Sequence, residues 1–318
     1  MTLSELYEKG RRIIGEKDLA FFLEAVETGF ITEHDRRIID RYTFRQRCID
    51  GVEADPATEI LGLELKTPVI MSAITMPIPA IVDDGLMAVA EGLKEAGSLM
   101  WTGTPVPMDL KGLKATGVAL AATAKPFKDR ARMFEALEKI QSGGADWVGL
   151  EIDVGQGTKI KDRPIVADCA PLTLKEIREV RRNVSGPFWL KGVLSRIDAE
   201  KAGEAGADGI VVSNHGAHTL DYLPHPFQVM DEIMEAARGR LAVVVDGGIR
   251  RGSDVVKALA FGASAAGLGR PILWALAAGG REGVRDLVRE ITEEARRIMS
   301  LVGASAPTRV PREALIQD

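Results

Sequence analysis

The sequence predicts a single α/β domain, a (β/α)8 TIM barrel with an N-terminal helical cap, and three observations carry that expectation. Short apolar runs alternate with amphipathic stretches from about residue 68 onward. Eight such runs occur, which suits a closed barrel better than an open sheet. The 318 residues fall within the usual span of one barrel.

Residues 1–45 read as the cap. Leu3, Leu6 and Tyr7, then Leu19, Phe22, Leu23 and Val26, recur at roughly helical spacing among charged residues. The barrel follows over 68–305, with no low-complexity linker and no domain boundary, so 1–318 is read as one domain. Its strands are expected at Val69–Ala73, Ser98–Thr102, Gly117–Thr123, Trp147–Asp153, Phe188–Val193, Gly209–Asn214, Ala242–Gly248 and Ala265–Arg270. Helices are expected between them, among others at Arg130–Ser142, Leu172–Val184, Asp198–Ala205 and Ser253–Phe261. Gly97, Gly143, Gly206 and Gly262 sit where helices should stop, since glycine tolerates the left-handed conformation of a helix C-terminus. The rival is a doubly wound sheet. It would normally carry a glycine-rich phosphate loop after its first strand, and no GxGxxG occurs there.

Composition narrows the function classes. Apolar residues make up 46% of the chain and the net charge is −5. A mildly acidic protein without long single-sign charge runs is a poor partner for nucleic acid or an anionic membrane. Two distant cysteines, Cys48 and Cys169, and no CxxC pair point away from a disulfide scaffold or thiolate zinc site and toward a reducing cytoplasm. The charged start lacks a secretory apolar core, and no uncharged apolar run approaches the ~18 residues that span a bilayer.

In a barrel, chemistry sits at the C-terminal ends of the strands. There the chain places SNHGAHTLD (213–221), DGGIRRG (246–252) and GLGRP (267–271), with Lys191 on the fifth strand and Asp153 ending the fourth. Gly247, Gly248, Gly267 and Gly269 let backbone amides approach an anion. Arg250, Arg251 and Arg270 add charge and forked donors, so the last two strands read as a phosphate site. Tight turns and surface charge would explain each motif singly, but less readily both together. His215 follows Ile210, Val211 and Val212, with Asp221 nearby in sequence. Asp153 could orient its ring, a pairing suited to a general base. A buried Lys191 calls for an anionic partner. His215, His218 and His225 fall close together, but there are only four histidines and no nearby cysteine, so no metal is expected.

Taken together, SNHGAHTLD, DGGIRRGSDVVKALAFGA, GLGRP and PFWLKGV resemble the FMN-dependent α-hydroxy-acid oxidases and dehydrogenases, the glycolate oxidase-like family. The likeness is densest over about 186–305 and continues more weakly through TPVIMSAITM (67–76) and FKDRARMFE (127–135). It implies an FMN oxidoreductase acting on a 2-hydroxy acid or a related alcohol or amine carbon. His215 would be the base, Asp153 its partner, and Lys191 the stabiliser of charge on the flavin. It further implies that Ser213, Asp246, Gly248, Arg250, Gly269 and Arg270 hold FMN, joined by Gly103, Thr123 and Glu151, while Ala73, Ile74 and Thr75 pack along the ring. By analogy a homo-oligomer, tetramer or octamer, is expected, with oxygen, a quinone or a protein as electron acceptor.

The substrate half departs from the pattern. His218 stands where the family has a carboxylate-binding arginine, Lys125 or a neighbour where it has a tyrosine, Phe22 or Phe21 near another tyrosine, and Glu151 in place of a threonine. Arginine offers a fork and a permanent charge; histidine offers one contact and is mostly neutral at its unperturbed pKa of about 6.5. Lys125 could restore the positive charge. Residues 154–187 leave little room for the family's long loop, which suggests a shorter lid, a more open site and a larger substrate or a covering partner. The alternatives are an FMN-dependent isomerase like the type 2 isopentenyl diphosphate isomerases, a flavoprotein acting on a non-carboxylate or peptide-derived substrate, and a non-catalytic flavin-binding or partner-binding protein.

Overall fold

The computed structural model describes residues 1–318. Eight strands, numbered here in chain order, form one parallel sheet: β1 (Val69–Met71), β2 (Leu99–Thr102), β3 (Ala119–Ala124), β4 (Trp147–Glu151), β5 (Phe188–Val193), β6 (Gly209–Val212), β7 (Ala242–Asp246) and β8 (Ala265–Leu268). Hydrogen-bonded neighbours run β1-β8-β7-β6-β5-β4-β3-β2. The two end strands then meet. The Ile74 amide donates to the Trp101 carbonyl at 3.1 Å and Ser98 Oγ to the Val69 carbonyl at 2.7 Å. The sheet closes on itself as a barrel and leaves no free edge.

Both faces of such a sheet are covered, which is why the strands read as continuous apolar runs. The inner face carries Ile70, Leu99, Trp101, Ala121, Trp147, Trp189, Val211, Val244 and Ala265. Its three indoles pack with centroid separations of 5.8, 5.5 and 4.7 Å. A hairpin, Thr58–Ile60 with Leu63–Leu65, adds Ile60 and Leu65 to this cluster and plugs the lower end. The outer face packs beneath the helices in the larger core. Because side chains alternate along a strand, the inward positions above the tryptophan layer are Ser72, Gly103, Thr123, Gly149, Lys191, Ser213, Asp246 and Gly267. Polarity thus begins one step above the apolar plug.

Five strands end two residues short of the sequence reading. Residues 72–73, 152–153, 213–214, 247–248 and 269–270 leave the ladder and become the rim. Helix Arg130–Ser142 falls where expected, while Leu174–Arg182, Arg196–Ala205 and Gly252–Ala260 lie within two residues of it. Gly97, Gly206 and Gly262 are left-handed, with φ of 70°, 82° and 95°. Gly143 is not: its φ is −74°, and Gly144 at 81° takes that role instead.

The cap consists of helix Leu3–Glu16, a 3₁₀ turn at Ala20–Leu23 and helix Phe30–Asp40. Thr2 and Glu5 form a capping box at the start of the first. That helix lies so close to the long C-terminal helix Arg270–Leu301 that a side chain at Gly10 would run into the Trp274 backbone. Tyr42–Phe44 pairs antiparallel with Leu315–Gln317 and ties the two ends of the chain together. This pair leaves no mark in the sequence, since three-residue strands carry almost no periodicity.

Candidate active site

The rim residues surround a cavity of about 440 Å³ at the C-terminal ends of the strands. His215 lies on its wall, just past β6, in a left-handed conformation (φ 56°). A non-glycine residue there is unusual and is held by its surroundings. Its amide donates to Ser213 Oγ at 3.0 Å. Its Nδ1 lies 2.9 Å from Asp153 Oδ2. Burial pushes the Asp153 carboxyl upward, but His215, Lys191 and Lys125 outweigh it and hold its pKa below the ordinary value. An ionised Asp153 can only accept, so Nδ1 carries the proton toward it and the neutral ring keeps Nε2 as an acceptor. Asp153 owes its position to Gly192. The β5 ladder shifts there, φ is 97°, and any side chain at 192 would occupy the space of the Asp153 carboxylate.

Lys191 pairs in register with Glu151 of β4 and is 3% exposed. Its Nζ donates to Ser213 Oγ at 3.4 Å and lies 3.5 Å from His215 Nδ1, which donates to Asp153 and so does not accept from it. Burial disfavours its charge, but Asp246, Asp153 and Glu151 more than offset that and raise its pKa. Beside it, Lys125 Nζ donates to Glu151 Oε2 at 2.7 Å in an ion pair that is almost wholly buried. Burial raises the Glu151 pKa, and Lys125, His215 and Lys191 together bring it below the ordinary value.

At the other end, Gly247 and Gly248 have φ of 121° and 68°, and Gly269 precedes the first turn of the helix Arg270–Leu301. The Arg250 side chain hydrogen-bonds nothing in the chain, and Arg270 spends only one donor, on the Gly216 carbonyl at 3.0 Å. Burial, then the charges of Arg11 and Arg36, holds the Arg250 pKa below normal, and burial, then the charges of Arg250 and Arg11, holds that of Arg270 below normal. Cations crowded together with spare donors at a helix N-terminus fit an anion such as a phosphate.

Among the expected site residues, Ala73, Ile74, Thr75, Lys125, Glu151, Lys191, His215, His218, Asp246, Gly248, Arg250, Gly269, Arg270 and Phe22 line this one cavity. Asp153, Gly103 and Ser213 stand just behind its wall, where Gly103 exchanges hydrogen bonds with Thr75 and a Cβ on it would lie 3.0 Å from the Ala73 carbonyl. Thr123 is turned downward: its hydroxyl accepts the Trp101 indole N–H. Asp221 does not pair with His215, whose Nδ1 is taken by Asp153. It caps helix Phe30–Asp40 through Thr28 and Ile31.

Two features were missed. Asp35, from the cap, lines the cavity, accepts from Asn214 Nδ2 at 2.8 Å, and is pushed up to about 6 by burial. A lone aspartate in a charged helix gives no signal in sequence. The second is a hairpin, Thr158–Ile160 with Arg163–Val166, which contributes Thr158, Ile160, Ile165 and Val166 to the wall. The segment after β4 is short, as expected, yet it forms an ordered apolar roof.

These residues fit FMN. The buried Ser72 Oγ, on the cavity wall, has no partner within the chain, nor has Asn214 Oδ1 behind it. Glycine-lined space and two unpaired arginines supply the remaining requirements of a flat ring bearing a phosphate. A profile of the family described as FMN-dependent dehydrogenase matches residues 11–166 and 159–317. Glycolate oxidase 3 of Arabidopsis thaliana is 29% identical over 94% of this chain and 91% of its own length. The glycolate oxidase of Spinacia oleracea is 28% identical over 94% and 90%. Among solved structures, mandelate oxidase with (S)-2-phenylpropionate superposes with a TM-score of 0.91 at 29% identity, covering 100% of this chain and 98% of the other. A mandelate oxidase variant with the C4a-OH-FMN adduct gives 0.89, also at 29%, covering 99% and 98%. These relatives are oxidases and do not favour the isomerase alternative. The chain belongs to the FMN-dependent dehydrogenase family and is an FMN-dependent oxidoreductase of the 2-hydroxy-acid oxidase kind.

Proposed function

We propose that this site oxidises the carbinol carbon of a 2-hydroxy carbonyl compound to the ketone, with His215 as the base. The hydrogen bond from His215 Nδ1 to Asp153 carries the reading, because it leaves Nε2 as an acceptor on the cavity wall. Asp153 fixes the tautomer and stabilises the imidazolium that forms on proton uptake. FMN, when bound, supplies the acceptor for the electron pair. Asp246, Gly248, Arg250, Gly269 and Arg270 would hold it at its phosphate and ribityl side, and Ala73, Ile74 and Thr75 along its ring. Lys191, backed by Ser213, places a positive charge where electrons arrive. Phe22 and the roof of Ile160, Ile165 and Val166 exclude water and receive an apolar substrate body.

Substituting His215→Ala tests this reading. The variant is expected to retain FMN and its yellow colour while substrate-driven flavin reduction slows by about 10²–10⁴-fold. Undiminished reduction would remove His215 as the base. The proposal extends, on family resemblance, to a homo-oligomer of four or eight copies, measurable by light scattering of the FMN-loaded protein. No helix is long and apolar enough to cross a membrane.

A further inference from the structure

We infer that the substrate presents a neutral hydrogen-bond donor beside its carbinol carbon, as in a 2-hydroxy amide with an apolar side chain, and not a free carboxylate. The inference rests on the oxidation proposed above and specifies its substrate. His218, three residues after the base, lines the same cavity, and its Nε2 lies 2.9 Å from the Glu24 carbonyl. A backbone carbonyl can only accept, so Nε2 holds the proton. Burial above all, with the charge of Arg270 added, lowers its pKa to about 3, so the ring is neutral. Its Nδ1 is therefore an acceptor, and no group of the chain hydrogen-bonds it. A carboxylate also only accepts, so the two would confront each other lone pair to lone pair. An amide N–H would complete the bond.

Charge accounting agrees. The cations lining the cavity are Lys125, Lys191, Arg250 and Arg270. The two arginines serve the phosphate end, which brings about −1.5 to −2 of its own. Lys191 faces Asp246, Asp153 and Glu151. Lys125 is held by Glu151 at 2.7 Å, so a carboxylate approaching it would meet the like charge of Glu151. A neutral carbonyl meets no such repulsion and can accept one of the Lys125 protons left over from that pair. An amide thus offers a donor to His218 and an acceptor to Lys125; an ester offers only the acceptor. In the reaction R–CH(OH)–CO–NHR′ becomes R–CO–CO–NHR′. The carbinol C–H and O–H bonds break and the second C–O bond forms. The electron pair passes to FMN, one proton to His215 and the other to the reduced cofactor.

The test uses the FMN-loaded protein under anaerobic conditions. Binding is read with non-oxidisable analogues, 2-hydroxy-2-phenylpropanamide, its methyl ester and its free acid, from the perturbation of flavin absorbance. Reduction is read with mandelamide, methyl mandelate and mandelate. Affinity and reduction rate are expected in the order amide, ester, acid, with amide over acid at least about ten-fold. The substitution His218→Arg is expected to invert the order. His218→Gln, which still offers an acceptor, is expected to keep it. Equal or tighter binding of the acid by the unaltered protein would overturn this inference and leave the proposed oxidation standing. If no compound of the series bleaches a flavin that dithionite does bleach, the oxidation itself is wrong and this inference falls with it.

Discussion

His225 shows how one residue couples the rim to stability. It is 0% exposed, its Nε2 donates to the Gly247 carbonyl, and its Nδ1 caps helix Pro226–Ala237 through the Phe227 amide. Burial lowers its pKa to about 3, as it does for His218. Below the unfolded value of about 6.5 the unfolded chain takes up protons that the folded chain refuses, so stability falls as pH drops through that window toward 3. Asp35 acts the other way. Its pKa is raised to about 6, so between its unfolded value near 3.9 and 6 the folded chain holds the extra proton, and acidification there favours folding. Two histidines outweigh one carboxyl. Acidifying the apoprotein from about pH 7 to about 5.5 is expected to cost on the order of 1–2 kcal/mol. The melting temperature should fall accordingly, and His225→Asn should flatten the dependence; a flat profile in the parent protein would contradict the burial argument. At this scale His215, Asp153, Arg250 and Arg270 were legible, because each follows an apolar strand in a polar or glycine-rich tip, and Lys191 because it is a charge within such a strand. Asp35 and the cap formed by Asp221 were not. Their partners lie some 180 and 190 positions away in sequence, a separation that no local pattern encodes.

Among the elements, the hairpin over the site depends on one glycine. Gly157 has φ of 82°, and a Cβ on it would collide with the Val166 carbonyl of the opposite arm. Gly157→Ala is therefore expected to loosen the roof, raising KM for substrates with apolar side chains several-fold while FMN affinity stays unchanged. Steady-state kinetics beside flavin titration would show this, and loss of FMN with unaltered KM would place the hairpin's role elsewhere. The hairpin escaped the sequence reading because its arms are three and four residues long and one contains Pro164. The barrel strands were legible for the opposite reason: runs buried on both faces remain apolar throughout. Five of them were overread by two residues at the C-terminal end, where small or apolar residues such as Ala73, Ile152, Gly247 and Gly248 blur the stop.

For the whole molecule, the stack of Trp101, Trp147 and Trp189 inside the barrel sets the level at which chemistry begins. Trp189 lies two residues before Lys191 on β5 and is 0% exposed. Trp189→Ala should cost about 3–5 kcal/mol in denaturant unfolding, the usual range for an aromatic removed from a core. A much smaller loss would mean that the barrel interior collapses around the gap. Barrel closure and the polar rim were legible, since they follow from eight repeats and the motifs at the strand ends. The pairing of Tyr42–Phe44 with Leu315–Gln317 joins distant segments and leaves no mark in local sequence, and the arms of the plug hairpin, three residues each, are too short to show a period.

The most direct measurement of the central claim is anaerobic reduction of the FMN-loaded protein by 2-hydroxy carbonyl compounds, followed by flavin absorbance with the ketone quantified in parallel. The structure predicts bleaching with one 2-oxo product formed per flavin reduced, and a His215→Ala protein that stays yellow under the same treatment. Bleaching without a 2-oxo product, or bleaching that proceeds equally in the two proteins, would contradict it.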